Sequence, residues 1–130
     1  MQTPHAHLLV VEDDPEMRDL LRKVLEKDGH LVTLAADGRE ALSSLGLRPF
    51  DLVITDLVMP AAGGFPLLES IRQLSPTTPV IIVTAFSEWG ASCRAMALGA
   101  SAFISKPLRM ADLTGAVHAV LAERGAATAP

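Results

Sequence analysis

Five short apolar runs recur along the chain, at Leu8 to Val11, Leu31 to Ala36, Leu52 to Ile54, Val80 to Val83 and Ala102 to Ile104. Helical patterns separate them. Met17, Leu20, Leu21, Val24 and Leu25 repeat with the period of one helix face, and Leu113, Ala116, Val117, Val120 and Leu121 do the same. Shorter stripes lie at Ala41, Leu42 and Leu45 and at Leu67, Leu68, Ile71 and Leu74. A further helix is expected over Trp89 to Leu98, interrupted by Gly90. Three of the apolar runs are dense in Val and Ile, as strands covered on both faces are. Parallel strands need crossovers, and right-handed crossovers carrying helices make an open, doubly wound α/β sheet. The expected architecture is five strands and five helices.

Four of the five runs end at polar or charged residues: Glu12 and Asp13 after the first, Asp56 after the third, Thr84 after the fourth and Lys106 after the fifth. The second ends at Ala35 and Ala36, which fits an edge strand. In open α/β sheets the ligand crevice lies outside the carboxyl ends of the strands. These residues are therefore expected to converge there. Asp14 has a purely structural reading, as the N-cap of a helix with Pro15 in its first turn.

At 130 residues and a formal charge of -4, with 49% apolar residues, the chain is expected to form one domain, without metal or disulfide staples. Cys93 has no partner for an internal bridge, which fits a reducing cytoplasm. No stretch resembles a signal peptide, and no apolar run nears the roughly 20 residues of a membrane span. With 11 Lys plus Arg against 15 Asp plus Glu, there is little electrostatic basis for gripping nucleic acid.

Gathered acids repel: two unit charges about 4 Å apart cost about 4 kcal/mol at an effective dielectric near 20. Lys106 offsets part of this, and a hard divalent cation would offset more. Magnesium suits carboxylate oxygens and completes its shell with water and phosphate oxygens. The scattered His5, His7, His30 and His118 show no zinc pattern. A carboxylate beside magnesium, a lysine and a hydroxyl has the parts for attack on phosphorus, giving an acyl phosphate. Asp56, alone at the end of a central run, is the expected nucleophile. Glu12 and Asp13, adjacent in sequence, are better suited to share the metal.

The acidic pair Glu12-Asp13, the segment Asp56-Leu57-Val58-Met59-Pro60 followed by Gly64, the pair Thr84-Ala85, and Leu98-Gly99-Ala100 leading to Lys106-Pro107 together resemble the receiver domain of two-component response regulators. The likeness runs from about His7 to Arg124. It implies a flavodoxin-like sheet of order 2-1-3-4-5, with Asp56 phosphorylated by a histidine of a sensor kinase or phosphotransfer protein. It also implies magnesium held by Glu12, Asp13, Asp56 and the backbone carbonyl of Val58, with Thr84 and Lys106 on the phosphoryl oxygens. A cis peptide between Lys106 and Pro107 follows from the same likeness.

The resemblance further implies a switch in which Thr84 moves toward the phosphoryl group and Phe103 turns inward behind it, changing the face around the last strand. Partners would be a downstream protein or an output domain, with a phosphorylation-dependent homodimer among the forms allowed. Phe103 stands where Tyr is more usual, and Gly63 where many relatives carry Asp. Val58 and Phe86, at positions that tune acyl-phosphate lifetime, are both apolar and cannot orient an attacking water, so slow loss of phosphate is expected. Residues Gly125 to Pro130 read as a small-residue tail, leaving a free-standing receiver and the front end of a longer regulator as alternatives. Trp89 reads equally as core or partner face.

Three other functions compete. An aspartyl phosphatase usually carries a second acid two residues after its nucleophile, where this chain has Val58. A flavin module would want stacking aromatics, and the chain has no Tyr and one Trp. A degenerate receiver serving only as a binding platform would not need the acids and the lysine.

Overall fold

The computed structural model describes residues 6–56, 64–84 and 90–128. The chain alternates strand and helix: β1 (His7–Val11), α1 (Pro15–Lys27), β2 (Leu31–Ala35), α2 (Gly38–Leu47), β3 (Leu52–Thr55), α3 (Gly64–Leu74), β4 (Val80–Thr84), α4 (Ala91–Ala97), β5 (Ala102–Ser105) and α5 (Met110–Thr128). All strand pairs are parallel, in the order β2-β1-β3-β4-β5. This is the doubly wound, flavodoxin-like sheet that the apolar runs and the resemblance predict. β2, with its bare Ala35 end, is an edge strand.

Strand side chains alternate between two faces, and each face is buried. Leu9, Val11, Val53, Val80 and Ile82 face a core completed by Ala41 of α2, Leu67, Leu68 and Ile71 of α3 and Ala95 of α4. Leu8, Val10, Leu52, Ile54, Ile81 and Val83 face the other core, with Leu21 and Leu25 of α1 and Leu113, Val117 and Val120 of α5. Burying each large aliphatic side chain contributes about 1.5–3 kcal/mol.

Local chemistry sets the helix ends. Asp14 caps α1, its Oδ1 accepting the Glu16 N–H at 3.0 Å, with Pro15 in the first turn, as expected. Asp37 caps α2 by accepting from the Glu40 N–H at 2.9 Å, while Glu40 Oε1 accepts the Ala36 N–H at 2.7 Å. Of the stripe expected on α1, Leu21 and Leu25 are buried but Leu20 is 43% exposed, because a helix on a sheet covers a narrower arc than the stripe spans.

Two helix boundaries differ from the sequence reading. Gly90 does not interrupt a helix: with φ 85° it stands at the N-cap, and α4 runs only over Ala91–Ala97. A left-handed backbone cannot continue a right-handed helix, so the element starts after it. Trp89 lies outside the described residues. At the other end α5 continues through Thr128, past Arg124, so part of the expected tail is helical. Ala126 and Ala127 have the highest helix propensity and extend the helix readily.

Candidate functional site

The ends of β1, β3, β4 and β5 carry Glu12, Asp56, Thr84 and Lys106. Because the strands are parallel, all four meet at one edge of the sheet. Lys106 Nζ donates to Glu12 Oε1 and to Asp56 Oδ2, each at 2.9 Å. β5 is separated from β3 by β4, so the lysine side chain spans the end of the intervening strand. Both carboxylates are nearly enclosed, with side chains 4% and 7% exposed, whereas the lysine retains 20%.

Glu12 is held at several atoms. Its N–H donates to the Ala35 carbonyl at 3.0 Å, extending the β1–β2 ladder. Its carbonyl accepts from Arg18 Nη1 at 2.8 Å, and Oε2 accepts from the Asp14 N–H at 3.3 Å. The Asp56 N–H donates to the Val11 carbonyl at 3.3 Å and prolongs the β1–β3 ladder. Backbone pairing thus aims both acids. Arg18 was not singled out from sequence; its signal, a cation in the second turn of the helix after the acidic pair, is visible only once that helix is placed beside β1.

Burial lifts the Glu12 carboxyl above its ordinary range; Lys106 pulls it back, the neighbouring Asp13 pushes it further up, and the net shift is upward. For Lys106, burial disfavours the ammonium, but hydrogen bonds and attraction from Asp56 and Glu12 outweigh it and raise its pKa. Two enclosed carboxylates thus share one ammonium.

Asp13 follows Glu12 in the bend after β1 and is exposed. Thr84 is fully buried at the end of β4, and its carbonyl accepts the Lys106 N–H at 2.9 Å. Phe103 pairs with Ile82 across β4 and β5 and packs, half-buried, against the core beneath α3 and α4. Alternation along β4 puts Thr84 on the same sheet face as Ile82, and hence as Phe103. The Lys106–Pro107 peptide is cis, as the resemblance implies. Val58, Met59, Pro60, Gly63, Ala85 and Phe86 lie outside the described residues.

The donor set fits magnesium. Glu12 and Asp56 present carboxylate oxygens to one shared ammonium, and the exposed Asp13 adjoins Glu12. An oxygen-rich, net-negative, partly solvated site is what a hard dication with retained waters requires.

The family model described as the response regulator receiver domain matches residues 8–118. The chain belongs to this family. Among curated proteins, the receiver domain is 38% identical to an uncharacterized 14.6 kDa protein of Leptolyngbya boryana, over 87% of this chain and 88% of that one. It is 35% identical to the transcriptional activator protein PfeR of Pseudomonas aeruginosa, over 91% of this chain but 38% of PfeR. It spans 54% of the uncharacterized transcriptional regulatory protein YkoG of Bacillus subtilis, at 30% identity. Among solved structures, a CheY-like receiver domain protein from Methanospirillum hungatei superposes with a TM-score of 0.90 at 30% identity, covering 94% of this chain and 98% of that one. The Vibrio cholerae chemotaxis protein CheY4 gives a TM-score of 0.83 at 29% identity, covering 90% and 99%. Among the described residues no helix is long and apolar enough to cross a membrane.

Proposed function

We propose that the receiver domain accepts a phosphoryl group on Asp56 from a phosphohistidine of a sensor kinase or phosphotransfer protein. The observation that carries this reading is the pair of 2.9 Å contacts from Lys106 to Glu12 and Asp56 at the carboxyl edge of the sheet. An Asp56 carboxylate oxygen attacks phosphorus, the P–N bond to the donor imidazole breaks, and the imidazole nitrogen keeps the bonding pair. The product is an acyl phosphate on Asp56 and a histidine returned to its unmodified state. The chemistry needs positioning and charge neutralisation more than a general base.

Lys106 has the reach to leave Glu12 and donate to a phosphoryl oxygen while keeping its place beside Asp56. The Thr84 hydroxyl supplies a second donor, and Phe103, on the same face, follows it inward. That coupling would remodel β5 and its flanking helices for a downstream protein or an output domain, acting as a two-state element biased by phosphate. Glu12, Asp13, Asp56 and the backbone carbonyl of Val58 would hold magnesium. When bound, the ion neutralises charge on the transferring phosphoryl oxygens. The domain acts as a switch in the cytoplasm, without turnover of an external substrate, and residues 1–130 form a single unit of this kind.

Incubation with acetyl phosphate and magnesium, followed by intact mass measurement, tests the reading. Wild type gains one phosphoryl mass and Asp56→Asn gains none. Equal modification of both would move the acceptor elsewhere, and no modification of wild type would overturn phosphoryl transfer.

A further inference from the structure

At the opposite, amino edge of the sheet, three potential ligands from distant parts of the chain meet. His118 Nε2 on α5 lies 2.6 Å from Asp28 Oδ2 at the end of α1, and His30 Nε2, just before β2, lies 3.7 Å from the same oxygen. One ligand atom from each residue falls within 4.8 Å of the other two. The imidazole rings stand nearly perpendicular, at 86°, with centroids 6.4 Å apart.

The backbone builds this arrangement. α1 ends in a Schellman turn: the Gly29 N–H bonds the Glu26 carbonyl at 3.0 Å and the His30 N–H bonds the Leu25 carbonyl at 3.2 Å. Gly29, with φ 94°, makes the reversal that brings Asp28 and His30 together. The position after such a glycine is ordinarily apolar and packs back on the helix. Here it is an imidazole, with its side chain fully enclosed.

We propose that Asp28, His30 and His118 form a zinc-class metal site, separate from the acidic cluster around Asp56. Two imidazoles and one carboxylate are the donor set of many three-ligand zinc centres, with a fourth position open to water. Zinc–ligand bonds of about 2.0–2.1 Å put tetrahedral ligands roughly 3.3 Å apart, within reach of the separations seen here. His118 is half-exposed and supplies the adjustment, while His30 is fixed by the core. On binding, both Nε2 atoms present lone pairs, and the proton of the His118–Asp28 hydrogen bond passes to His118 Nδ1 or to solvent. Imidazole nitrogen selects zinc over magnesium, so the two edges of the sheet discriminate between ions by donor type. The bound metal ties α5 to the α1–β2 turn.

Calorimetric titration with zinc chloride, in excess magnesium chloride to occupy the acidic cluster, tests the site. Wild type shows saturable one-to-one binding in the micromolar range, and His118→Ala weakens it at least tenfold. His118 is exposed, so this variant folds, and circular dichroism checks it; Asp28→Asn gives the same weakening from a second ligand. Zinc raises the melting temperature of wild type by several degrees and leaves His118→Ala unmoved. Absence of saturable binding, undiminished affinity in His118→Ala, or a signal that excess magnesium removes would each overturn the proposal.

Discussion

Lys106 Nζ stands 2.9 Å from Asp56 Oδ2, although β5 and β3 are not neighbours in the sheet. The contact closes the site over the end of β4 and leaves Glu12 and Asp56 sharing one cation. Replacing that cation by a neutral side chain of similar length strands two enclosed carboxylates. Lys106→Met is expected to lower stability by about 1–3 kcal/mol in the absence of divalent ions. Magnesium recovers part of the loss, since it supplies the missing positive charge. Urea denaturation with and without magnesium measures both effects.

The raised pKa of Lys106 fixes a sign at alkaline pH. A group whose pKa is higher in the folded state stabilises fully below its ordinary value, for lysine about 10.4, and loses that contribution as pH climbs through the folded value. The stability gap between wild type and Lys106→Met therefore shrinks as pH rises above about 10. A gap that stays constant beyond that point would contradict the ion-pair assignment.

Glu12 also has a raised pKa, and for a carboxyl the effect falls at acid pH. Folding favours its protonated form, so its favourable contribution is present below the ordinary glutamate value near about 4.3 and declines as pH rises through the folded value. Glu12→Gln avoids that decline. Without magnesium, the variant gains stability relative to wild type as pH goes from about 4 to about 7, readable from paired urea melts. The same variant binds magnesium more weakly.

Gly99 and Gly29 have similar left-handed backbones, with φ 100° and 94°, but different surroundings. A Cβ at Gly99 would sit 2.7 Å from Arg72 Cδ, while one at Gly29 would meet nothing within 4 Å. The Arg72 Nε and Nη2 atoms are themselves buried, which restricts how far that side chain can retreat. Gly29→Ala is expected to cost about 1–2 kcal/mol from the backbone alone. Gly99→Ala costs more by about 1 kcal/mol or above, through the added overlap. Thermal melts of the two variants make the comparison.

Under the proposed phosphoryl transfer, the apolar Val58 and Phe86 give a long-lived acyl phosphate. Val58→Asn supplies a side chain able to hydrogen-bond water, and the half-life is expected to shorten several-fold. Time-resolved phosphate-affinity electrophoresis reads the decay. A half-life of seconds for the magnesium-bound wild type would contradict the reading.

The element pattern was legible in the sequence because burial on a sheet leaves short apolar runs and burial of one helix face leaves a periodic stripe. Asp14 and Pro15 announced the start of α1 for the same local reason. Gly90 was harder to place, since a glycine in a weak stripe reads either as an interruption or as a boundary, and only its left-handed backbone decides. The extension of α5 through Thr128 is not legible in the sequence, because small residues look alike in a helix and in a tail.

By itself the sequence determined the α/β alternation and the set of polar residues at the strand ends, since both follow from short-range periodicity. The motif resemblance supplied the strand order. What only the tertiary structure decided was which side chains touch. Glu12 and Lys106 lie 94 residues apart, and their contact exists because parallel strands bring every carboxyl end to one edge. Likewise, His118 meets Asp28 across 90 residues because α5 packs on the same sheet face as α1. Spacing along a chain carries no record of such a meeting, which is set by the non-local packing of whole elements.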